Sequence, residues 1–294
     1  MKVFVLGATG YIGGSVAARL MAAGHQVVGT ARTADKARAL EARGIQATVA
    51  SFDDLGALAR LAKESDAVIN AASADERKVV EALLAALKGS GKHFIHTSGS
   101  SIVATDAGGE LTAGVHDEDT PIEPVPEKVA RISLDRTVLD AAKDGIHTNV
   151  ICPCLIYGKG LGLHEDSVQL PPLIQYARET GTARYIGKGE NVWSNVHIED
   201  LADLYLLVLE RAPAGTFFFA ENGEANFRDV VTAIGKSLHL SVASMPLQDG
   251  EQRWGVELGR LALASNSRIR AKRARALGWK PHRPSVFDVL AELK

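Results

Sequence analysis

The chain has 294 residues with a formal net charge of −2, and 46% of its residues are hydrophobic. This length can hold one large domain or a domain with a smaller lobe, and the hydrophobic content suffices for a core. The near balance of charge excludes attraction to nucleic acid or to membrane surfaces by bulk charge. The first predicted strand begins at residue 2 without a basic and apolar leader, and no apolar run is long enough to span a membrane, so we expect a cytoplasmic protein.

The stretch from Lys2 to Leu20 combines an apolar run, a glycine-rich turn and an amphipathic pattern. Its apolar start, Val3–Leu6, predicts a short strand that is buried on both faces of a sheet. Gly7, Gly10 and Gly13 then lead into a helical pattern with apolar residues at every fourth position. A helix start offers unpaired N–H groups and glycines permit close backbone approach, so we expect a phosphate to bind here.

Strand and helix patterns alternate along the chain to about residue 151. The predicted strands cover Val3–Leu6, Val27–Val28, Ala47–Val49, Ala67–Asn70, His93–His96 and Thr148–Ile151. The later predicted helices of this part cover Asp35–Arg43, Leu55–Lys63, Asp75–Leu87 and Arg131–Ala142. Such alternation predicts an α/β fold with right-handed crossovers, that is, a doubly wound parallel sheet that binds its ligands at the carboxyl ends of the strands.

The glycine spacing is G-x-x-G-x-x-G, with Thr9 before the second glycine. This motif resembles the short-chain dehydrogenase/reductase superfamily, and TGYIGG at residues 9–14 is most similar to its extended, epimerase/dehydratase-like branch. Further segments with this resemblance are residues 49–55, 66–72, 152–158, 196–202 and 277–281. The resemblance and the pattern together predict a Rossmann domain over residues 1–157 and a small α/β substrate lobe over 158–294, part of which can return to the Rossmann sheet.

The resemblance also implies a nicotinamide dinucleotide site built from the glycine-rich turn and the ends of the neighbouring strands. Ser51 stands where the family usually has an aspartate beside the adenine, so the adenine contact is weaker or comes from the backbone. The cofactor-binding residues implied in this way are Gly7, Thr9, Gly10, Tyr11, Ile12, Gly13, Ser51, Phe52, Asn70, Ala71, Ala72, Thr97 and Pro153.

The end of the second strand distinguishes between the two nicotinamide cofactors. The segment Gly29–Thr33 has no carboxylate that could accept from a ribose 2′-hydroxyl, and Arg32 can clamp a 2′-phosphate instead. We therefore predict that the protein binds NADP and prefers NADPH to NADH. The alternative is that Arg32 is a solvated surface arginine.

The family's usual active-site pair, a tyrosine with a lysine four residues later, is missing from this sequence. Aligning Asp135 with the acidic residue that commonly follows the lysine places Glu127 at the tyrosine position and Arg131 at the lysine position. The segment between Tyr11 and Tyr157 contains no tyrosine at all. Positioned general acids contribute about 10²- to 10⁴-fold to rates, so the reaction needs a substitute donor or proceeds slowly without one.

Two residues are candidate proton donors, and hydroxyls after the fifth strand are candidates to orient a carbonyl. Glu127 could donate if it is desolvated, although Arg131 would oppose a raised pKa, and Tyr157 could donate because it follows the sixth strand. Ser98, Ser100 or His96 could orient the carbonyl. The alternatives are a surface pair of Glu127 with Arg131, packing of Tyr157 under the second lobe, and serines that only satisfy turn backbone.

These features lead to a primary functional hypothesis and two alternatives. The primary hypothesis is an NAD(P)H-dependent oxidoreductase that transfers hydride to a small carbonyl or unsaturated substrate and uses a proton donor other than tyrosine. The first alternative is a non-catalytic NADPH-binding sensor. The second is a nucleotide-sugar epimerase or dehydratase, which the cysteine in place of the usual arginine before Pro153 does not support.

We expect a small-molecule substrate as partner, no nucleic acid or membrane partner, no metal, and a monomer or homodimer. The apolar face over residues 79–87 could serve a two-fold helical interface. Cys152 and Cys154 are predicted to be buried apolar residues, and His197 to be a structural histidine. The basic run Arg268–Arg275 is predicted to form one solvated helix face.

Overall fold

A seven-stranded parallel sheet forms the centre of the fold in the computed structural model, which describes residues 1–293. The strands are β1 (Lys2–Leu6), β2 (Gln26–Ala31), β3 (Gln46–Val49), β4 (Ala67–Asn70), β5 (His93–Thr97), β6 (Thr105–Asp106), β7 (His147–Pro153), β8 (Leu155–Tyr157), β9 (Thr182–Ile186), β10 (Val192–His197), β11 (Thr216–Ala220), β12 (Glu224–Asn226), β13 (Ser241–Met245) and β14 (Ser265–Asn266). The order in the large sheet is β11-β7-β5-β4-β1-β2-β3, and every neighbouring pair is parallel.

Helices cover both faces of this sheet. They are α1 (Tyr11–Ala22), α2 (Ala34–Glu41), α3 (Leu55–Lys63), α4 (Arg77–Leu87), α5 (Val129–Asp140), α6 (Leu170–Thr180), α7 (Ile198–Arg211), α8 (Phe227–Leu238), α9 (Leu247–Gly255), α10 (Lys272–Ala276) and α11 (Val286–Ala291). A π-helical segment, Val256–Leu263, follows α9. Across residues 1–293, none of the helices has the length and hydropathy needed to cross a bilayer.

The two faces of the sheet have separate apolar cores. Residues of α1, α2 and α7 pack on one face, and residues of α3, α4 and α5 pack on the other. The predicted α/β doubly wound architecture is therefore confirmed. Cys152 and Cys154 are buried as expected. Because the chain reverses direction of winding between β1 and β4, the carboxyl ends of these strands border the crevice where such sheets bind ligands.

A smaller lobe with its own apolar core follows β7. It contains the sheet β12-β10-β8 and the parallel pair β13-β9, while β14 and β6 form an antiparallel pair. Two later elements nevertheless lie on the large sheet, because β11 pairs with β7 and α7 packs against α1. The boundary at residue 157 stays a prediction, and Lys294, the last residue of the predicted lobe, lies outside the described residues.

Two expectations about surfaces are wrong. The apolar face of α4 is not available for a two-fold interface, because Val79, Val80, Leu83, Leu84 and Leu87 are buried within the chain against its own core. The burial follows from the contact of α4 with α3 on the same face of the sheet.

The basic run near the C-terminus also differs from its predicted form. The helix covers only Lys272–Ala276, and Arg268 and Arg270 precede it and both bind Glu224. Ile269 points inward and is fully buried, as expected. The segment before Lys272 is therefore not helical, and ion pairs of its two arginines with a carboxylate on β12 fix its position.

Leu83→Ala tests the burial of the α4 face. We expect the free energy of unfolding to fall by about 2–5 kcal/mol, because the substitution removes a fully buried side chain and leaves a cavity. Leu111→Ala is the control, since Leu111 is 55% exposed and should change stability by less than about 0.5 kcal/mol. Urea denaturation at several protein concentrations measures both. A loss that depended on protein concentration would instead support the interface.

Candidate functional site

The turn from β1 to α1 requires glycine at two positions. Gly7 has a φ of +96°, and an added Cβ there would lie 2.8 Å from the backbone of Ala71 and Ala72. A Cβ on Gly13 would lie 2.2 Å from the carbonyl oxygen of Gly7. The glycines therefore bring the first turn of α1 directly against β1 and leave the backbone uncovered at this edge of the sheet.

The start of α1 has the features of an anion site. Its N-cap residue, Gly10, supplies no side-chain hydrogen bond, and the first turn has no acidic residue. In contrast, side-chain oxygens of Thr33, Asp54 and Asn226 cap α2, α3 and α8. The unpaired N–H groups and the positive end of the α1 dipole are therefore left for a ligand.

A cavity of about 460 Å³ opens at this helix start. It is lined by Leu6, Gly7, Thr9, Gly10, Thr30, Arg32, Ala50, Ser51, Phe52, Asp53, Ala71 and Ala72. These residues include eight of the predicted cofactor-binding set, which come from the ends of four adjacent strands. A glycine cradle, a helix N-terminus and a cation around one cavity fit the pyrophosphate and adenosine half of a dinucleotide.

Arg32 lies on the wall of this cavity at the end of β2. It is exposed, and within residues 1–293 no hydrogen bond or ion pair engages its guanidinium. By comparison, Arg38 on α2 forms an ion pair with Asp35. Arg32 is therefore available to a ligand in the cavity.

Several other predicted cofactor residues have side chains that are committed elsewhere. The Tyr11 hydroxyl donates to the Gly158 carbonyl at 2.7 Å, and the Thr97 hydroxyl lies 2.6 Å from that of Tyr205. Ile12 lies in the first turn of α1, and Pro153 lies at the end of β7. The hydroxyl proton of Tyr11 is therefore already used within the protein.

A buried polar layer lies beneath the ends of β4 and β5. The Asn70 amide donates to Nδ1 of His96 at 3.1 Å, because its oxygen already accepts from the Ala72 N–H. Since Nδ1 accepts, a neutral His96 carries its proton on Nε2, which lies 3.7 Å from Oδ1 of Asp135. Ser98 donates to Oδ2 of Asp135 at 2.6 Å. This layer links two strands to α5.

Burial shifts the titration of both ionisable groups in this layer. Desolvation raises the pKa of Asp135 to about 7, although the hydrogen bond from Ser98 favours the charged form. Desolvation lowers the pKa of His96 to about 4. Asp135 therefore exchanges a proton near neutral pH, whereas His96 stays neutral there.

Arg131 lies above this layer, in contact with two residues that the sequence analysis did not select. Its Nε and Nη2 donate to the two carboxylate oxygens of Asp75, at 2.9 and 2.5 Å. Its Nη1 donates to the Ser101 hydroxyl at 2.9 Å. Burial opposes the charge of Arg131, but the bonds to Asp75 outweigh it and raise the pKa of the guanidinium.

The structure corrects the roles predicted for Tyr157 and Glu127. Tyr157 is not available as a proton donor, because β8 belongs to the smaller lobe, where its hydroxyl donates to the Pro284 carbonyl at 2.9 Å. Glu127 is exposed in a 3₁₀ turn, Pro126–Lys128, and does not pair with Arg131.

The structure also corrects the role predicted for Ser100. Ser100 and Ser98 are both buried and hydrogen-bonded inside the protein. Ser100 accepts from the Ser267 hydroxyl at 2.8 Å. His197 has the structural role expected of it, since its Nδ1 accepts from the Glu199 N–H at the start of α7. Among the serines of this segment, Ser101 is the one that accepts from Arg131. Its only sequence signal was its place in the hydroxyl-rich segment after β5.

The fold and the cavity define a dinucleotide-binding α/β protein. Residues 3–218 match the model of the NAD dependent epimerase/dehydratase family. The chain belongs to this family, whose members are NAD-dependent enzymes.

Similar proteins come from fungi and bacteria. An uncharacterized protein of Saccharomyces cerevisiae is 30% identical over 98% of this chain and 97% of its own length. The oxidase UcsJ of an Acremonium species is 30% identical over 98% of this chain and 95% of its own length. A ketoreductase of Stigmatella aurantiaca, which acts on a 3-oxo-dihydroquinoline oxide, is 25% identical over 84% of this chain and 77% of its own.

A solved structure of similar shape is the dTDP-glucose 4,6-dehydratase of Bacillus anthracis in complex with NAD. Its TM-score is 0.78 at 18% identity, and the match covers 99% of this chain and 94% of the dehydratase. At this identity the likeness shows a common fold.

Asp135→Asn tests the buried layer through the pH dependence of stability. A carboxyl with an ordinary pKa of 3.8 loses its proton in the unfolded chain, while folded Asp135 keeps it to about pH 7. Asp135 therefore costs stability progressively as the pH rises between these values and adds no further cost above pH 7. We expect the variant to gain roughly 2 to 4 kcal/mol relative to the parent from pH 4 to pH 7.

Urea denaturation of parent and variant across this pH range measures the difference. His96 gives an opposite trend in both proteins, so the difference between them removes the part of the His96 contribution that does not depend on Asp135. Asp140→Asn on the exposed end of α5 is the matched control and should show no such gain. A parallel pH dependence in parent and Asp135→Asn would contradict the assignment.

Proposed function

We propose that this protein is an NADPH-dependent reductase of a small carbonyl or unsaturated compound, with a proton donor other than tyrosine. The observation that carries the proposal is the cavity at the start of α1, where a glycine cradle, a helix N-terminus and Arg32, unpaired among residues 1–293, meet. The neighbouring part of the same sheet edge holds a partly exposed, charged cluster around Arg131. A dinucleotide that spans the crevice would extend from one to the other.

Each part of the site has a distinct physical task. The first turn of α1 and the backbone at Gly7 bind the pyrophosphate, and Arg32 binds the 2′-phosphate through charge-assisted hydrogen bonds. Ser51 and Phe52 border the adenosine half of the cavity. The bound cofactor supplies the hydride, and the polar groups at the ends of β4 and β5 orient the substrate and hold the proton.

The named relatives support redox chemistry of this kind. One is an oxidase, and another is a ketoreductase of a ring ketone. Epimerase or dehydratase action on a nucleotide sugar has less support, because Cys152 stands at the arginine position before Pro153 and is fully buried. A small carbonyl substrate needs no diphosphate clamp.

A second candidate is a non-catalytic protein that senses NADPH. It is favoured by the internal hydrogen bonds that Ser98 and Tyr157 donate and by the burial of Ser100, which limit the availability of three of the expected reactive hydroxyls. A sensor would bind NADPH through the same cavity but would not consume it.

The test is NADPH oxidation by the purified protein against a panel of aldehydes, ketones and enones, with NADPH binding measured in the same sample by fluorescence. Consumption of NADPH with at least one carbonyl or enone is the expected result. Tight NADPH binding with no consumption across the panel would support the sensor. A protein that binds neither NADPH nor NADH would contradict both candidates.

Arg32→Ala tests the cofactor preference in the same assay. We expect the dissociation constant for NADPH to rise about tenfold or more, because a charge-assisted hydrogen bond is worth about 1.5–3 kcal/mol. Affinity for NADH should change little. Arg38→Ala is the control, because Arg38 is paired with Asp35 outside the cavity. An unchanged ratio of NADPH to NADH affinity in Arg32→Ala would contradict the NADPH preference.

A further inference from the structure

Asp75 fixes the orientation of the Arg131 guanidinium, and the remaining nitrogen of this group donates to Ser101. Nε and Nη2 form a two-pronged contact with Asp75, at 2.9 and 2.5 Å, which fixes the plane of the group. The remaining nitrogen, Nη1, donates to the Ser101 hydroxyl at 2.9 Å. The Arg131 side chain is only 14% exposed, so solvent screens this contact weakly.

The Ser101 hydroxyl is an acceptor in this contact, and its own proton remains free. Within residues 1–293 no acceptor takes a hydrogen bond from it. Ser101 is partly exposed, whereas Ser98 and Ser100 are buried and paired. A hydroxyl that accepts from a cation is more acidic than an ordinary one, because the cation stabilises the oxygen after the proton has left.

The position of this group fits the reacting half of the site. Ser101 lies in a 3₁₀ turn after β5, and Asp75 lies in the loop after β4. This loop begins with Ala71 and Ala72, which line the cofactor cavity. β4 and β5 are on the opposite side of β1 from Arg32, so the cluster lies at the far end of the crevice from the 2′-phosphate site.

Another cation close to this cluster is already neutralised. Lys128 is buried and its Nζ binds the Glu257 carboxylate in the π-helical segment. Ser101 is therefore the hydroxyl in this cluster that combines partial exposure, a free proton and a cationic donor to its oxygen.

We propose that Ser101, polarised by Arg131, is the proton donor that replaces the tyrosine; this assignment rests on the proposed reductase function. As the carbonyl carbon receives the hydride, the C=O π-bond electrons move to its oxygen. The O–H bond of Ser101 breaks and the O–H bond of the product alcohol forms. The Ser101 oxygen, stabilised by Nη1 of Arg131, then takes a proton from water, which restores the hydroxyl. Asp75 is a positioning residue that orients the guanidinium.

The first test needs neither cofactor nor turnover. In Ser101→Cys the thiol pKa is measured from the pH dependence of alkylation in the cofactor-free protein. We expect a value clearly below the ordinary 8.5, since a neighbouring cation stabilises the thiolate. Adding Arg131→Met should raise it by at least one unit. The parent, whose two cysteines are buried, gives the background rate.

The second test separates the donor from a structural serine. Ser101→Ala should lower kcat for carbonyl reduction at least about 100-fold with NADPH affinity unchanged. Ser133→Ala is the matched control, because its hydroxyl also accepts from an arginine, Arg77, at 3.1 Å, but on the exposed side of α5. Ser133→Ala should keep the parent rate. The residual rate of Ser101→Cys should fall as the pH rises through its thiol pKa.

The outcomes distinguish this assignment from the proposed function. A Ser101→Ala variant with the parent kcat would overturn the assignment and leave the reductase function standing. A thiol pKa at residue 101 that is ordinary and insensitive to Arg131→Met would also overturn it. A parent protein that reduces no carbonyl would overturn the reductase function and the assignment together.

Discussion

The structure depends on the close packing of α1 against the turn that follows β1. A side chain on Gly13 would collide with the carbonyl oxygen of Gly7, and one on Gly14 would lie 2.9 Å from Cα of Gly162 in the smaller lobe. The glycine face of α1 therefore contacts both the central sheet and the segment that follows β8. On its other side α1 packs against α7, where Arg19 binds Asp203. These backbone contacts thus fix the position of the α1 N-terminus, the cavity beside it and the attachment of the lobe.

The second half of the site depends on electrostatics at the ends of β4 and β5. Arg131 and Asp75 neutralise each other at the rim, and the bond to Arg131 lowers the pKa of Asp75. Below them Asp135 has a carboxyl that burial keeps protonated to about pH 7. One turn of α5 carries both Arg131 and Asp135, so the rim and the buried layer are positioned together. The ends of β4 and β5 therefore hold hydrogen-bond donors and a protonated carboxyl in fixed positions.

The sequence was sufficient to predict the features that are local in the chain. The glycine spacing at residues 7–13 predicts the turn because two of its requirements are local: Gly7 has a positive φ, and a Cβ on Gly13 would collide with the carbonyl oxygen of Gly7. Arg32 could be placed in the cavity because it directly follows β2, the parallel neighbour of the unbroken apolar run of β1. The family follows from the same segments, and the matched region 3–218 contains both of them.

The features that depend on distant parts of the chain were not predictable in this way. Asp75, Ser101 and Arg131 belong to three different elements, and only folding shows that they meet. Tyr157 was assigned to the site because it follows β7, but the chain crosses at β8 into the other sheet. Glu127 was placed by counting back from Asp135 along a helix, whereas the helix begins at Val129 and a tighter turn precedes it.

The most direct test of this account is a crystal structure of the protein with NADPH bound. The account predicts the pyrophosphate at the start of α1, the 2′-phosphate within hydrogen-bonding distance of Arg32, and the nicotinamide ring beside Ser101 and Arg131. A nucleotide bound in the reverse direction, or a nicotinamide ring remote from Ser101, would contradict it.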